Sequence, residues 1–84
     1  MTKEQIISQT NTILSNHFEI EISSITPDAT IWNTLDLDSL RAMELMIIAK
    51  KQFNIEIPSR ALSHIITFDD LYEYILTHQI KLNE

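Results

Sequence analysis

The chain contains no glycine, and this absence excludes several common kinds of ligand site. A P-loop and a dinucleotide-binding fingerprint need glycines where the backbone approaches a phosphate, and a serine hydrolase usually carries them around its nucleophile. Cysteine is also absent, which excludes a disulfide framework and a thiolate metal site. The histidines, His17, His64 and His78, are scattered along the sequence. Catalysis by the chain itself is therefore not expected.

Basic residues are scarce: six lysines and arginines stand against twelve acids, which gives a net charge of -6. Nucleic-acid binding needs clustered positive charge to neutralise phosphates, so this composition argues against it. The longest strictly apolar run covers only residues 45–49, far too few to cross a membrane. The opening segment, MTKEQIISQT, lacks the pattern of a signal peptide, so a cytoplasmic protein is expected.

The 84 residues are enough for one domain with a thin hydrophobic core. Apolar residues recur at helical spacing, and segments rich in turn-forming residues separate the periodic stretches. The pattern predicts an all-α fold, a small four-helix bundle of three longer helices and one short helix, over residues 1–84. The predicted helices cover residues 3–16, 39–53, 59–64 and 67–79.

Capping residues mark two of these helix starts. Thr2 and Gln5 have the spacing of a capping box, and Thr67 stands three residues before Asp70 in the same way. Between the first two helices lies a long segment rich in Ser, Thr, Asp and Pro. We expect it to be a loop pinned to the core by its apolar members, which are Ile25, Ile31, Trp32 and Leu35.

One face of the helix over 39–53 is predicted to be core. Leu45, Ala49 and Phe53 follow one another at intervals of four residues, with Met46 alongside, so they share a side of the helix. We expect this face to pack against apolar residues of the other helices, namely Ile7, Leu14, Phe18, Leu62, Phe68, Leu71 and Ile75.

The segment LDLDSL, residues 35–40, places Ser39 at the start of this helix. Asp38 and Ser39 both favour the N-cap position, and capping alone would explain them. The start of a helix also stabilises an anion, because its free N–H groups and its dipole point towards it. A phosphate ester on Ser39 would lie in this field, so the position suits a cap and a phosphodiester equally.

The residues around this serine resemble those of the acyl carrier protein family. DSL opens the helix, TPDATIWNTL precedes it, and MELMIIAKKQFNIEIP follows, so the likeness extends over nearly the whole chain. The resemblance implies that Ser39 carries 4′-phosphopantetheine taken from coenzyme A, and that Asp38 helps to bind the metal at the phosphopantetheinyl transferase. It also implies that the thiol of this arm holds acyl groups as thioesters. The chain would then serve acyl-loading and condensing enzymes as a carrier, without being an enzyme.

Three features differ from the usual pattern of that family. Asp36 stands where glycine is usual, Arg41 stands where an acid is common, and Lys50 and Lys51 replace an acidic run. A side chain at position 36 is expected to stiffen the loop and to add charge near the arm. Residues 41–60 hold four bases and two acids, a local charge of +2 in a chain of -6. This charge predicts a dedicated carrier of a specialised pathway, such as polyketide or fatty-acid-like biosynthesis.

The same helix has a second apolar line, formed by Leu40, Met43 and Ile47. In so thin a bundle we expect this line to face partner enzymes, although the long loop could cover it instead. The predicted partner-binding residues are Leu40, Arg41, Met43, Glu44, Ile47, Lys50 and Lys51. A monomer with no nucleic-acid or membrane partner is expected.

Two alternatives stay open at this point. Ser39 could be only a helix cap, in which case the chain would be a helical protein-interaction module. The carrier could also load an amino acid, as peptidyl-type carriers do, rather than an acyl chain.

Overall fold

The computed structural model describes residues 1–79, and the fold class predicted from the sequence, a small all-α bundle, is confirmed. Three of its helices are long, as expected, and residues 80–84 of the predicted domain lie outside the described residues. The helices are α1 (Lys3–Phe18), α2 (Ile31–Thr34), α3 (Ser39–Phe53), α4 (Ser59–Leu62) and α5 (Phe68–Gln79), with a 3-10 turn at Ile22–Ser24.

The boundaries of α3 are those predicted, whereas the neighbouring helices differ by one or more residues. α1 extends to Phe18 rather than 16, and it ends where Glu19 adopts a left-handed backbone with φ of 55°. α4 stops at Leu62 rather than 64, because the chain then tightens: the N–H groups of His64 and Ile65 bond to carbonyls three residues back. α5 begins at Phe68 rather than 67, since Thr67 caps it from outside.

The long loop before α3 is more ordered than its composition predicts. It contains α2, a single turn of helix, and this turn is held by contacts with distant residues rather than by its own length. The backbone N–H of Ile31 donates to the Ile66 carbonyl at 2.9 Å, and the N–H of Phe68 donates to the Ala29 carbonyl at 3.1 Å. These bonds attach the loop to the start of α5 and thereby fix the segment that leads to Ser39.

The core lies between α1, α3 and α5, with the loop closing one side. Leu45 and Ala49 are buried on the inner face of α3 as predicted, whereas Met46 and Phe53 are only partly buried at its edge. The pinned loop is also largely confirmed, because Ile25, Ile31 and Leu35 are buried; Trp32 is the exception, with 37% of its surface exposed. The predicted partners of the α3 face are buried except Ile7, which is partly buried; they are Leu14, Phe18, Leu62, Phe68, Leu71 and Ile75.

Within residues 1–79, none of the helices is both long enough and apolar enough to cross a bilayer.

Candidate functional site

Asp38, and not Ser39, is the N-cap of α3. Its Oδ1 accepts the backbone N–H of Arg41 at 2.8 Å, and its carbonyl accepts the N–H of Ala42, also at 2.8 Å. Ser39 is the first residue inside the helix and is exposed. Its hydroxyl forms no hydrogen bond with any residue in the described part of the chain. The sequence left open whether Asp38 or Ser39 caps this helix. In the structure Asp38 is the cap, and the hydroxyl of Ser39 stays free.

The turn before Asp38 ends α2 in a Schellman motif. The N–H of Leu37 donates to the Trp32 carbonyl at 2.9 Å, and the N–H of Asp36 donates to the Asn33 carbonyl at 3.3 Å. Between these bonds Asp36 adopts a left-handed backbone with φ of 51°. The residue at this position of the motif is usually glycine, because a Cβ there costs about 1–2 kcal/mol. Sequence reasoning marked position 36 as unusual, but it did not predict the turn.

Arg41 lies half-buried against this turn. Its Nη1 donates to the carbonyl of Leu35 at 3.3 Å, and its guanidinium carbon lies 6.0 Å from the centre of the Phe18 ring. The side chain therefore points towards the loop and the end of α1. Arg41 was predicted to bind partners together with the exposed line of α3, and the structure does not group it with that line.

The second apolar line of α3 is exposed, as the sequence predicts. The exposed fractions are 65% for Leu40, 53% for Met43 and 48% for Ile47, so the loop does not cover these side chains. A helix that keeps three large apolar residues in solvent offers a surface for another molecule. The sequence predicted this exposure, whereas the role of the residues in partner binding stays a prediction.

Charged residues border this line, and two of them have partners on other segments. Glu44 Oε1 lies 3.4 Å from Nε2 of His17 at the end of α1, a contact that sequence reasoning missed because the two residues are distant in the chain. Lys50 Nζ lies 3.5 Å from Oε1 of Glu56. Both pairs are solvent-exposed, so each contributes little to stability. Lys51, the residue after Lys50 in α3, is also exposed.

The geometry fits attachment of a phosphodiester at Ser39. The hydroxyl is accessible and unused, and it stands at the first turn of a helix of 15 residues, where the unpaired N–H groups favour an anion. No three histidine or acidic side chains cluster as metal ligands in residues 1–79, so a metal at Asp38 would need further ligands from another molecule. A 4′-phosphopantetheine at this position would supply a thiol that forms thioesters.

Comparison with known proteins leads to the same family. A family model described as a phosphopantetheine attachment site matches residues 12–75. The acyl carrier protein of Cyanidioschyzon merolae is 34% identical over 84 residues, which are 100% of this chain and 92% of that protein. The acyl carrier protein of Lactobacillus acidophilus is 32% identical over 79 residues, 94% of this chain and 99% of that protein.

A solved structure agrees with these matches. The acyl carrier protein from Enterococcus faecalis superimposes with a TM-score of 0.75 at 31% identity, over 92% of this chain and 98% of that one. The chain therefore belongs to the acyl carrier protein family, whose members carry a covalent 4′-phosphopantetheine group.

Proposed function

We propose that this chain is a discrete carrier protein in which Ser39 holds the phosphopantetheine arm and partner enzymes act on the attached acyl group. The observation that carries the proposal is the free, exposed hydroxyl of Ser39 beside a helix cap that Asp38 already provides. A tethered thioester is presented to each enzyme at a raised effective concentration, which is what a carrier contributes without catalysing a step.

The proposal extends to the identity of the partners. The exposed line of Leu40, Met43 and Ile47 would enter an apolar groove of each partner, while Lys50 and Lys51 would face its acidic groups. Partners adapted to an acidic carrier helix present basic groups to it, and those groups would repel these lysines. We therefore assign the chain to a specialised pathway, of the polyketide or related fatty-acid-like kind, with its own loading and condensing enzymes.

Mass measurement tests the attachment site. The purified protein is incubated with coenzyme A, Mg²⁺ and a broad-specificity phosphopantetheinyl transferase, and its intact mass is recorded. The wild type is expected to gain one phosphopantetheine, and Ser39→Ala is expected to gain none. A wild type without any gain would support the alternative, an interaction module in which Ser39 has no such role. A gain that persists in Ser39→Ala would move the site.

Charge reversal tests the choice of partners. Changing Lys50 and Lys51 to Glu should leave the fold intact, because both side chains are exposed and the exposed Lys50–Glu56 pair that is lost contributes little to stability. The double variant should be a poorer substrate for the cognate condensing enzyme and a better one for general fatty-acid enzymes. Arg60→Glu on α4 serves as a charge-reversal control outside α3, matched to each of the single variants Lys50→Glu and Lys51→Glu. Efficient use of the wild type by general enzymes, unchanged by the reversal, would contradict the specialised assignment.

The mass of the cargo decides between the remaining alternatives. An acyl group recovered from the arm in cells would support the carrier as proposed, and an amino acid would assign it to the peptidyl type. The monomeric state and the cytoplasmic location stay predictions from the sequence.

A further inference from the structure

Asp36 is harder to hold in place than the other left-handed residues of the described chain. Glu19 and Asn54, with φ of 55° and 56°, end helices of 16 and 15 residues. Asp36 has φ of 51° but follows α2, which has four residues. A helix of one turn has little stability of its own, so its capping bonds alone provide weak support for a left-handed aspartate. The bond from Ile31 to the Ile66 carbonyl holds the start of α2, so the turn at its end needs contacts of its own.

Arg41 makes the contacts that the turn lacks. Leu35, the residue before Asp36, is buried to within 1% of full burial, and no backbone N–H of residues 1–79 outside the regular helices donates to its carbonyl. A buried carbonyl without a donor is costly, and Nη1 of Arg41 supplies the donor at 3.3 Å. The same guanidinium lies over the ring of Phe18, 6.0 Å from its centre. One side chain thus joins the ends of α1 and α2.

Arg41 is also tied to the start of α3 through its main chain. Its backbone N–H is the one that the Asp38 carboxylate accepts at 2.8 Å, and Ser39 lies between these two residues. A movement of the turn at 35–37 would therefore reach Ser39 through Asp38 and Arg41, which this hydrogen bond joins. The planar guanidinium can donate to a carbonyl and lie over a ring at once, which an ammonium group does less well.

We propose that Arg41 is a positioning residue for phosphopantetheine attachment: it holds the left-handed turn at Asp36 and thereby presents Ser39 to the transferase. The proposal rests on the proposed function, because it takes Ser39 as the attachment site. A glycine at position 36 would adopt the left-handed backbone without the cost of a Cβ, so the turn would not need support from Arg41. Arg41 acts through the turn and not by touching the transferred group.

Kinetics of attachment test this role. The concentration of the apo protein is varied at a fixed concentration of one transferase, with coenzyme A and Mg²⁺ saturating. The loaded form is quantified by intact mass, which gives kcat and the KM for the apo protein. If only part of the Arg41→Met population has the correct turn, the apparent affinity falls by that fraction. KM is expected to rise several-fold, up to about tenfold, with kcat nearly unchanged. Arg41→Lys should show a smaller rise in KM.

A second substitution separates positioning from direct contact with the transferase. Asp36→Gly removes the cost of the left-handed backbone. In the Arg41→Met background it should therefore lower KM most of the way back to the wild-type value, and in the wild type it should change KM little. Lys51→Met is the matched control, since it removes a positive charge from α3 away from the turn. Any effect of Lys51→Met should not be corrected by Asp36→Gly. Circular dichroism shows whether each variant is folded.

Three results would overturn the proposal. The first is a folded Arg41→Met variant with the KM of the wild type, and the second is an unchanged KM defect after Asp36→Gly is added, which would indicate direct contact. The third is a loss confined to kcat. A wild type that gains no mass would instead contradict the proposed function, so the two failures are distinguishable.

Discussion

The starts of α3 and α5 combine the same kinds of residue and use them differently. At α5, Thr67 Oγ1 accepts the N–H of Asp70 at 3.2 Å, and Asp70 Oδ2 accepts the N–H groups of Ile66 and Thr67 at 3.0 and 3.1 Å. At α3, the acid takes the capping position and the hydroxyl follows it. The Thr67 hydroxyl accepts a hydrogen bond from its own helix, whereas the Ser39 hydroxyl has no hydrogen-bond partner among the described residues.

The start of α1 resembles that of α5. Thr2 Oγ1 accepts the N–H of Gln5 at 3.2 Å, and Gln5 Oε1 accepts the N–H of Thr2 at 2.9 Å. Two of the three long helices thus begin with a hydroxyl that closes a reciprocal pair of bonds. In α3 the acid takes the N-cap position instead, and the hydroxyl of Ser39 follows one residue later, where the helix does not use it for capping.

Removing the reciprocal pair at α5 should have the largest effect on stability. The double variant Thr67→Ala, Asp70→Ala loses both side-chain caps, each of which is typically worth about 0.5–2 kcal/mol. The free energy of unfolding should fall by about 1–3 kcal/mol in a urea titration. A loss within the error of the titration would mean that packing of α5, rather than its cap, maintains this end of the helix.

The single cap of α3 should matter less. Asp38→Ala removes the bond to the N–H of Arg41 and should cost about 0.5–2 kcal/mol. Asp38→Asn is the matched control, because asparagine caps as well as aspartate but carries no charge. Asn should therefore preserve stability in the same titration while slowing attachment, if the charge serves the transferase. Equal losses of stability in both variants would contradict the capping role.

The carboxylate of Asp70 makes the start of α5 sensitive to acid. The backbone N–H groups of Thr67 and Ile66 hold the pKa of this carboxyl below its usual value. Because the folded pKa is lower than the unfolded one, the contribution of Asp70 is complete above about pH 4 and is lost as the pH falls through the folded pKa.

Melting temperatures of wild type and Asp70→Asn test this dependence. The difference between the two proteins should be greatest near neutral pH and should shrink as the pH falls below about 4. Ser39→Ala serves as the control, since this change leaves the carboxylate bonds at α5 in place. A difference that stays constant over this pH range would show that the charge of Asp70 does not stabilise the helix.

Sequence reasoning predicts the start of α3 well because its signals are local. A capping acid stands directly before a long periodic apolar segment. The exposure of Leu40, Met43 and Ile47 follows from the same periodicity, since a helix with two apolar sides in a thin bundle cannot bury both.

The features that the sequence did not predict depend on residues far apart in the chain. α2 has too few residues for a periodic pattern, and its start is fixed by a bond from Ile31 to Ile66. The direction of the Arg41 side chain depends on where Phe18 and Leu35 lie in the fold. The sequence showed only that Asp36 and Arg41 were unusual. The contact between Arg41 and this turn depends on the conformation of residues 35–37, which the sequence did not predict.

The smallest effect on stability is expected from Ser39→Ala. This variant compares the Ser39 hydroxyl directly with the Thr67 hydroxyl at the start of α5. Because the Ser39 hydroxyl has no hydrogen-bond partner among the described residues, its removal should change the free energy of unfolding by no more than about 0.5 kcal/mol. Thr67→Ala, the matched change at α5, should cost about 0.5–2 kcal/mol, since there the hydroxyl is the cap.

Both single variants can be compared with the wild type in one urea titration, together with attachment measured by mass. Ser39→Ala should keep its stability and lose attachment completely, while Thr67→Ala should lose stability and keep attachment. If Ser39→Ala were destabilised as much as Thr67→Ala, the hydroxyl would have to act as a cap in solution. A serine used in that way would not be the free group that the carrier function requires, and the interaction-module alternative would then be the better account of this helix start.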